Sequence, residues 1–204
     1  MDDIVKQAMA KWPDVPDCYG WLALDARGAF RMRDEAAQAA HAPGDVIRHP
    51  ALLSFIYRNY QHDEHGAWFF QNGPQRVFVE LEATPFIAHT DPAHGFITHD
   101  GEPLGNIDAA WITREGRLVL KSGEKIAMVV DRDLAECLAM LRMQGQPIDD
   151  ALLLDWLEGM HDSLELQIGE RRISVNPLRH DALGTRLGFD PHPATSQSAS
   201  PDKA

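Results

Sequence analysis

Two nine-residue segments of the chain repeat each other and decide the fold. Residues 71–79 read QNGPQRVFV, and residues 167–175 read QIGERRISV. Both segments place Gln two residues before a glycine and Arg three residues after it, followed by alternating branched apolar residues. A turn glycine between alternating apolar residues is typical of a β-hairpin. We therefore predict that each segment is the tip and second strand of a hairpin, and that the chain contains an internal duplication.

The sequence upstream of each hairpin repeats as well. Residues Ala51–Leu53 recur as Ala151–Leu153, each at the start of a pattern typical of an amphipathic helix. Before the helix, each half contains a strand–turn–strand pattern, with Trp21 in one half and Trp111 in the other. Each half therefore runs hairpin, helix, hairpin. In the second half we also predict a helix from Asp131 to Arg142, with Leu141 on its apolar face.

This repetition predicts the fold class. A hairpin–helix–hairpin unit is too small to bury enough surface by itself, so two units should pack together. We predict an α+β protein of two pseudo-symmetric modules, each an antiparallel sheet packed by a helix. The predicted divisions are an N-terminal helix and linker (1–16), a first module (17–95), a second module (96–189) and a disordered tail (190–204). A cleft between the modules is the predicted place for a small ligand.

Composition limits the partners of the protein. The 204 residues include 19 Lys and Arg against 31 Asp and Glu, a formal net charge of −12. Proteins that bind duplex nucleic acid are usually basic, because their affinity comes largely from neutralising phosphates, so this class is disfavoured. Anionic membrane surfaces are disfavoured for the same reason, and no apolar run has the length of a membrane span.

The termini and the cysteines predict the compartment. The N-terminal sequence MDDIVK is acidic and lacks the basic, then apolar, pattern of a secretory signal. Cys18 and Cys137 lie far apart and form no CxxC pattern, which favours two reduced thiols over a disulfide. We expect a cytoplasmic protein.

Four segments of the chain resemble a bacterial family. They are Ile47–Leu52, Gly73–Glu80, Ala83–Phe86 and Phe96–Gly101. The chain resembles the domain-of-unknown-function family twelve-eighty-five (DUF1285), or a close sister of it. The resemblance implies a duplicated α+β core whose C-terminal module is similar to pleckstrin-homology-like folds. It also implies a nucleotide-like ligand, bound where the modules meet, and a part in signalling.

The repeat and the resemblance together nominate ligand-binding residues. Arg76 and Arg172 occupy matching positions, and two guanidinium groups at one interface would suit a phosphate or another small anion. The alternative is that both arginines are exposed and pair with Glu80 and Glu170. Arg48 and Thr98 lie in the resembling segments. Trp111 is either a core residue or a platform for stacking a base.

A histidine-rich segment suggests a rival function. His89, His94 and His99 recur every five residues, with Asp91 among them, and imidazole and carboxylate groups are common ligands of zinc and iron. A metal-assisted hydrolase is therefore one alternative, although five-residue steps along a strand point to opposite faces, which favours solvated loop histidines. A protein-binding scaffold is another alternative. Because the chain lacks the GxSxG, GxxxxGK and GxGxxG patterns, we favour a binding or sensor module over an enzyme, and the sequence indicates no particular cofactor.

Overall fold

The computed structural model describes residues 1–161 and 163–194, and the chain forms two compact units. The first unit contains Met1–Asp25, Ala29–Ala83 and the segment from Gly188 onward. The second unit contains Ala26–Gly28 and Thr84–Leu187. The predicted boundaries of the modules, at 95 and 189, stay predictions, and most of the predicted tail, residues 195–204, lies outside the described residues.

The first unit combines short helices with a six-stranded sheet. Its elements, in chain order, are α1 (Asp3–Lys11), β1 (Cys18–Leu24), β2 (Phe30–Met32), α2 (Glu35–Ala39), β3 (Asp45–Val46), α3 (Pro50–Arg58), β4 (Tyr60–His62), β5 (Trp68–Asn72) and β6 (Gln75–Leu81). Helix α3 begins where the sequence predicts, because Pro50 needs no hydrogen-bond acceptor in the first turn. The side chain of His49 caps this helix by accepting a hydrogen bond from the backbone N–H of Leu52.

The first sheet has the order β3-β2-β1-β6-β5-β4. All neighbouring strands are antiparallel except β1 and β6, which run parallel and place Ala23 opposite Glu80. The core of the unit contains the fully buried side chains of Leu24, Phe30, Ile56 and Leu81. The ring of Tyr57 lies tilted against that of Phe30, and the ring of Tyr60 meets it edge to face, which joins helix α3 to the sheet.

The second unit has a larger sheet, of nine strands. Its elements are β7 (Phe86–Asp91), β8 (Gly95–Thr98), β9 (Ala109–Thr113), β10 (Leu118–Ser122), β11 (Lys125–Val129), α4 (Leu134–Leu138), β12 (Leu141–Met143), β13 (Gln146–Pro147), α5 (Asp150–Leu157), β14 (Leu164–Ile168), β15 (Arg171–Leu178) and α6 (Leu183–Leu187). The order of strands is β13-β12-β14-β15-β9-β10-β11-β7-β8. Helix α5 is capped by Asp149, which accepts a hydrogen bond from the N–H of Leu152 at 2.9 Å.

The two sheets share an arrangement of six strands. The run β4-β5-β6-β1-β2-β3 of the first sheet matches the run β12-β14-β15-β9-β10-β11 of the second, when both are read in the same direction. Each run has one parallel pair at its centre, and its other pairs are antiparallel. The hairpin tips agree in detail, since Gln71 and Gln167 each donate a side-chain hydrogen bond to the carbonyl of the turn glycine two residues later.

The predicted α+β class is confirmed, and two details of the prediction are wrong. The sheets are mixed rather than purely antiparallel. In each six-strand run, the strand that comes last in the chain (β6 or β15) lies beside the strand that comes first (β1 or β9) and runs parallel to it. A helix predicted from Asp131 to Arg142 ends at Leu138. Leu141 instead pairs with Leu166 in the second sheet, where it is fully buried. No helix among the described residues is both long enough and apolar enough to cross a membrane.

Candidate ligand-binding site

A cleft of about 300 Å³ opens on one face of the first sheet, at the lower end of the volumes usual for small-molecule sites. We call it the charged cleft. Its lining consists of Ala23–Asp25, Arg31, Arg33, His41–Pro43, Glu80–Glu82 and His192, all of the first unit. It brings together acidic and basic side chains from segments that are distant in the sequence.

Strand alternation explains why two arginines face the charged cleft. Successive side chains of a strand point to opposite faces, so Arg31 and Arg33 share one face. Phe30 and Met32 lie on the other face, where Phe30 is fully buried and Met32 borders an apolar groove. The sequence Phe-Arg-Met-Arg therefore places two guanidinium groups side by side.

Arg31 is held by a largely buried ion pair. Its Nε donates to Oδ2 of Asp25 at 2.7 Å, and its Nη1 donates to the carbonyl of Gly44 at 3.1 Å. The carboxylate of Asp25 also accepts a hydrogen bond from the N–H of Ala29 at 2.8 Å. The side chains of Arg31 and Asp25 are only 25% and 8% exposed, so the pair is weakly screened by water.

Arg33 is mostly buried, and its guanidinium has N–H groups that donate no hydrogen bond to the described residues. Its side chain is 13% exposed, and its Nε donates to the carbonyl of Ala42 at 3.2 Å. Its Nη1 lies 3.9 Å from Oε1 of Glu80, which is beyond hydrogen-bond distance. Among the described residues, no hydrogen bond reaches the two terminal nitrogens of Arg33. A planar guanidinium with both terminal nitrogens available is suited to bind a carboxylate or phosphate through two parallel hydrogen bonds.

The segment after Gly188 completes the rim of the charged cleft. The N–H of Asp190 donates to Gly66, and the carbonyl of Pro191 accepts from the N–H of Leu81, both at 2.9 Å. These bonds place the imidazole of His192 beside Glu80, with Nδ1 3.2 Å from Oε2. The charged cleft therefore has a cationic side, formed by the arginines, and an anionic side, formed by Glu80 and Glu82.

An apolar groove of about 240 Å³ lies on the opposite face of the same sheet. It is lined by Cys18, Trp21, Leu22, Met32, Ile47, Leu52, Ile56, Phe70, Asn72 and Val77. The side chains of Trp21 and Met32 are 39% and 46% exposed at its border. Burial raises the pKa of the Cys18 thiol, so at neutral pH this group is a protonated, weakly nucleophilic part of the wall.

The sequence-predicted ligand residues lie outside the lining of both sites. Arg48 and Arg76 are exposed, and the guanidinium of Arg76 lies over the ring of Phe69. Arg172 is exposed, with its Nη1 3.9 Å from the carboxylate of Glu165. These neighbours differ from the two predicted ion pairs, with Glu80 and Glu170.

The two remaining predicted ligand residues belong to the second unit. Thr98 is buried, and its hydroxyl lies 2.5 Å from Oδ1 of Asp100 and 3.0 Å from the carbonyl of Glu102. Trp111 is half-buried on β9, where Val119 and Asn176 are its partners on the neighbouring strands. Whether any of the five predicted residues contacts a ligand stays a prediction.

The predicted metal-binding histidines have separate local roles. His94 contacts Asp91 at 2.8 Å in the hairpin turn, and this hydrogen bond is the largest cause that lowers the pKa of Asp91. His89 lies near Arg132, and burial, more than the nearby guanidinium, lowers its pKa. His99 accepts a hydrogen bond from the N–H of Ile87. No group of three or more His, Cys, Asp or Glu in residues 1–161 and 163–194 has the geometry of a metal site.

Sequence reasoning missed the residues that form the charged cleft. One available signal was the alternation of Arg31 and Arg33 with two apolar residues in a short strand. The partners Asp25, Glu80 and His192 have no comparable local signal, because only the packing of distant segments brings them beside the arginines.

Sequence comparison assigns the chain to a family. The profile of DUF2944, described as "Protein of unknown function (DUF2946)", matches residues 1–194. The chain belongs to the DUF2944 family. This confirms the prediction of an uncharacterised domain-of-unknown-function family, although the matching profile is not that of DUF1285 itself. No curated protein matches the sequence of this DUF2944 chain.

Two solved structures are similar to this DUF2944 chain. One is a DUF1285 family protein from Silicibacter pomeroyi DSS-3, with 14% sequence identity and a TM-score of 0.47, over 82% of this chain and 84% of that one. The other is a DUF1285 family protein from Shewanella baltica OS155, with 13% identity and a TM-score of 0.40, over 57% of this chain and 88% of that one.

Proposed function

We propose that the protein is a ligand-binding sensor module whose charged cleft holds the anionic group of a small molecule. The observation that carries the proposal is Arg33, a buried guanidinium whose terminal nitrogens make no hydrogen bond among the described residues and border a cleft of about 300 Å³. A buried cation with open donors is favoured as an anchor for a carboxylate or phosphate, because few competing water contacts must be displaced.

Two further observations support a binding site whose charged groups are held in position before a ligand binds. The carbonyls of Gly44 and Ala42 hold the guanidinium groups of Arg31 and Arg33 in place, so little side-chain entropy is lost on binding. The shared six-strand arrangement supports the internal duplication, and the charged side chains of this cleft are then a specialisation of the first unit. A role in signalling is part of the proposal, while a ligand between the modules stays a separate prediction, because the lining of the charged cleft belongs to the first unit alone.

The proposal is tested by measuring melting temperatures with inorganic phosphate, AMP and small carboxylates. A ligand at 100 times its Kd stabilises the folded state by about 2.7 kcal/mol, which raises the melting temperature by several degrees. We expect a shift for the native chain and none for Arg33→Ala. Arg114→Ala is the matched control, since Arg114 is exposed and does not line the cleft. A shift that survives in Arg33→Ala would contradict the site.

The apolar groove supports a second candidate function, a protein-binding surface. Exposed Trp and Met side chains at the border of a concave apolar surface are common in protein interfaces. Trp21 and Met32 have this position. The double substitution Trp21→Ser with Met32→Ser should abolish co-purification of a partner while Arg33→Ala leaves it intact. Equal recovery of the partner with both variants would exclude the groove.

A further inference from the structure

We infer that the charged cleft selects a zwitterion of the amino-acid class, with one carboxylate and one ammonium group, over a nucleotide. This inference rests on the proposed function, since it identifies the class of ligand that the same cleft takes. Three features lead to it: the order of charges across the sheet, the balance of charge in the cleft, and the gap between Arg33 and Glu80.

The register of the sheet places an arginine and a glutamate on opposite sides of Ala23. Ala23 pairs with Arg31 on one side and with Glu80 on the other. Adjacent strands are about 4.8 Å apart, so the backbones of Arg31 and Glu80 are separated by roughly twice that distance. The methyl group of Ala23 leaves the space between them open. A ligand lying over Ala23 is therefore between the arginine side of the cleft, which includes Arg33, and the carboxylate of Glu80.

The balance of charge disfavours a polyanion. The cleft contains two arginines against the three carboxylates Asp25, Glu80 and Glu82, a formal net charge of −1 with histidine neutral. Asp25 lies 2.7 Å from Arg31 and neutralises most of its charge. One cation, Arg33, therefore remains for an anionic group, beside the carboxylate of Glu80. This carboxylate would repel the phosphates of a nucleotide, whereas it would attract an ammonium group.

Arg33 and Glu80 lie close enough together for one amino-acid head group to contact both. Nη1 of Arg33 and Oε1 of Glu80 are 3.9 Å apart, close enough to attract and too far to hydrogen-bond. An α-amino acid carries its carboxylate and ammonium group on one carbon. It can therefore bind Arg33 through two hydrogen bonds and donate to Glu80 at the same time. Ala23, Ala42 and Pro43 supply the apolar part of the lining for the side chain of the ligand.

The inference is tested by isothermal titration of the full chain with a matched set of probes. The set is leucine, 4-methylpentanoate, which lacks the ammonium group, 3-methylbutylamine, which lacks the carboxylate, and AMP; the other common amino acids are screened beside leucine by thermal shift. We expect at least one amino acid to bind at least about tenfold more tightly than its deaminated and decarboxylated counterparts, equivalent to about 1.4 kcal/mol.

Two substitutions test which residue binds the ammonium group of the ligand and which binds its carboxylate. Glu80→Gln should weaken binding of the amino acid about tenfold and leave the affinity for the simple carboxylate unchanged. Arg33→Ala should abolish binding of both. The matched controls are Glu124→Gln, an exposed residue of a turn in the second unit, and Arg114→Ala, also exposed in that unit. Circular dichroism and thermal unfolding establish that each variant is folded.

The outcomes separate this inference from the proposed function. If AMP or the simple carboxylate binds as tightly as the amino acid, or if Glu80→Gln leaves amino-acid binding unchanged, the zwitterion inference is overturned while anion binding stands. If the amine binds as tightly as the amino acid, both the inference and the role of Arg33 are overturned. If no probe binds the native chain, the proposed function fails and the inference fails with it.

Discussion

Replacement of Asp25 by Ala should destabilise the first unit by about 3 kcal/mol. The substitution removes a charge-assisted hydrogen bond with Arg31 at 2.7 Å, a type worth about 1.5–3 kcal/mol. It also leaves the N–H of Ala29 without the carboxylate that accepts its hydrogen bond. Breaking a fully buried ion pair costs about 3–5 kcal/mol. The lower part of that range applies, because the side chain of Arg31 is 25% exposed and water can partly solvate it.

Urea unfolding monitored by fluorescence measures this loss. In a background in which Trp111 and Trp156 of the second unit are replaced by Phe, the emission of Trp68, which is 7% exposed, reports the unfolding of the first unit. With a typical slope of about 2 kcal/mol per molar urea, a loss of about 3 kcal/mol lowers the midpoint by about 1.5 M. Asp3→Ala is the matched control. It removes an ion pair with Lys6 whose side chains are 88% and 61% exposed, and such pairs contribute less than about 1 kcal/mol.

A double-mutant cycle tests the assigned cause. In an Arg31→Met background no buried cation remains to be left unpaired, so Asp25→Ala should cost much less than in the native chain. The reasoning is refuted if Asp25→Ala costs less than about 1 kcal/mol. It is refuted equally if the cost is the same in both backgrounds.

Three further predictions concern the second unit and the thiols. Thr98→Val should lower the free energy of unfolding by about 1–2 kcal/mol, because Asp100 loses the hydroxyl that donates to it, and should leave amino-acid affinity unchanged. Burial raises the pKa of Cys137 to about 12, so a thiol reagent at pH 8 should label Cys18 and leave Cys137 unlabelled. Burial lowers the pKa of His89, so its contribution to stability is fully present above its unfolded pKa of about 6.5 and is lost as the pH falls. His89→Gln should therefore flatten the decline in urea midpoint between about pH 7 and pH 5.

Each of these predictions has a control and a contradicting result. Thr98→Ser keeps the hydroxyl and should stay close to the native stability; equal losses for the Val and Ser variants would show that packing is the cause. Both thiols should label in urea, and equal rates for Cys18 and Cys137 in the folded chain would contradict the assigned burial. His65→Gln changes an exposed histidine and should keep the native pH dependence. An unchanged dependence in His89→Gln would remove His89 as a source of it.

Local patterns in the sequence predict the hairpins and the starts of the helices. A turn glycine such as Gly73 needs only its own neighbours, since the positive φ of the turn is a property of a single residue. The caps at His49 and Asp149 act within three residues of themselves. The helix predicted from Asp131 has the wrong C-terminal end because that prediction also uses local patterns alone. Leu141 fits a helical period, and only its pairing with Leu166, a residue distant in sequence, makes it part of a strand.

The sequence by itself determined the repeated hairpin–helix–hairpin order, the α+β class and the acidic charge of this protein, because these depend on composition and on residues a few positions apart. Only the tertiary structure decided the parallel pairing of β1 with β6 and the register that sets Ala23 between Arg31 and Glu80. It alone placed Arg33 and His192 on one cleft. The physical reason is that such contacts depend on how side chains pack when the sheet closes, and no short-range pattern records which distant strands will pair.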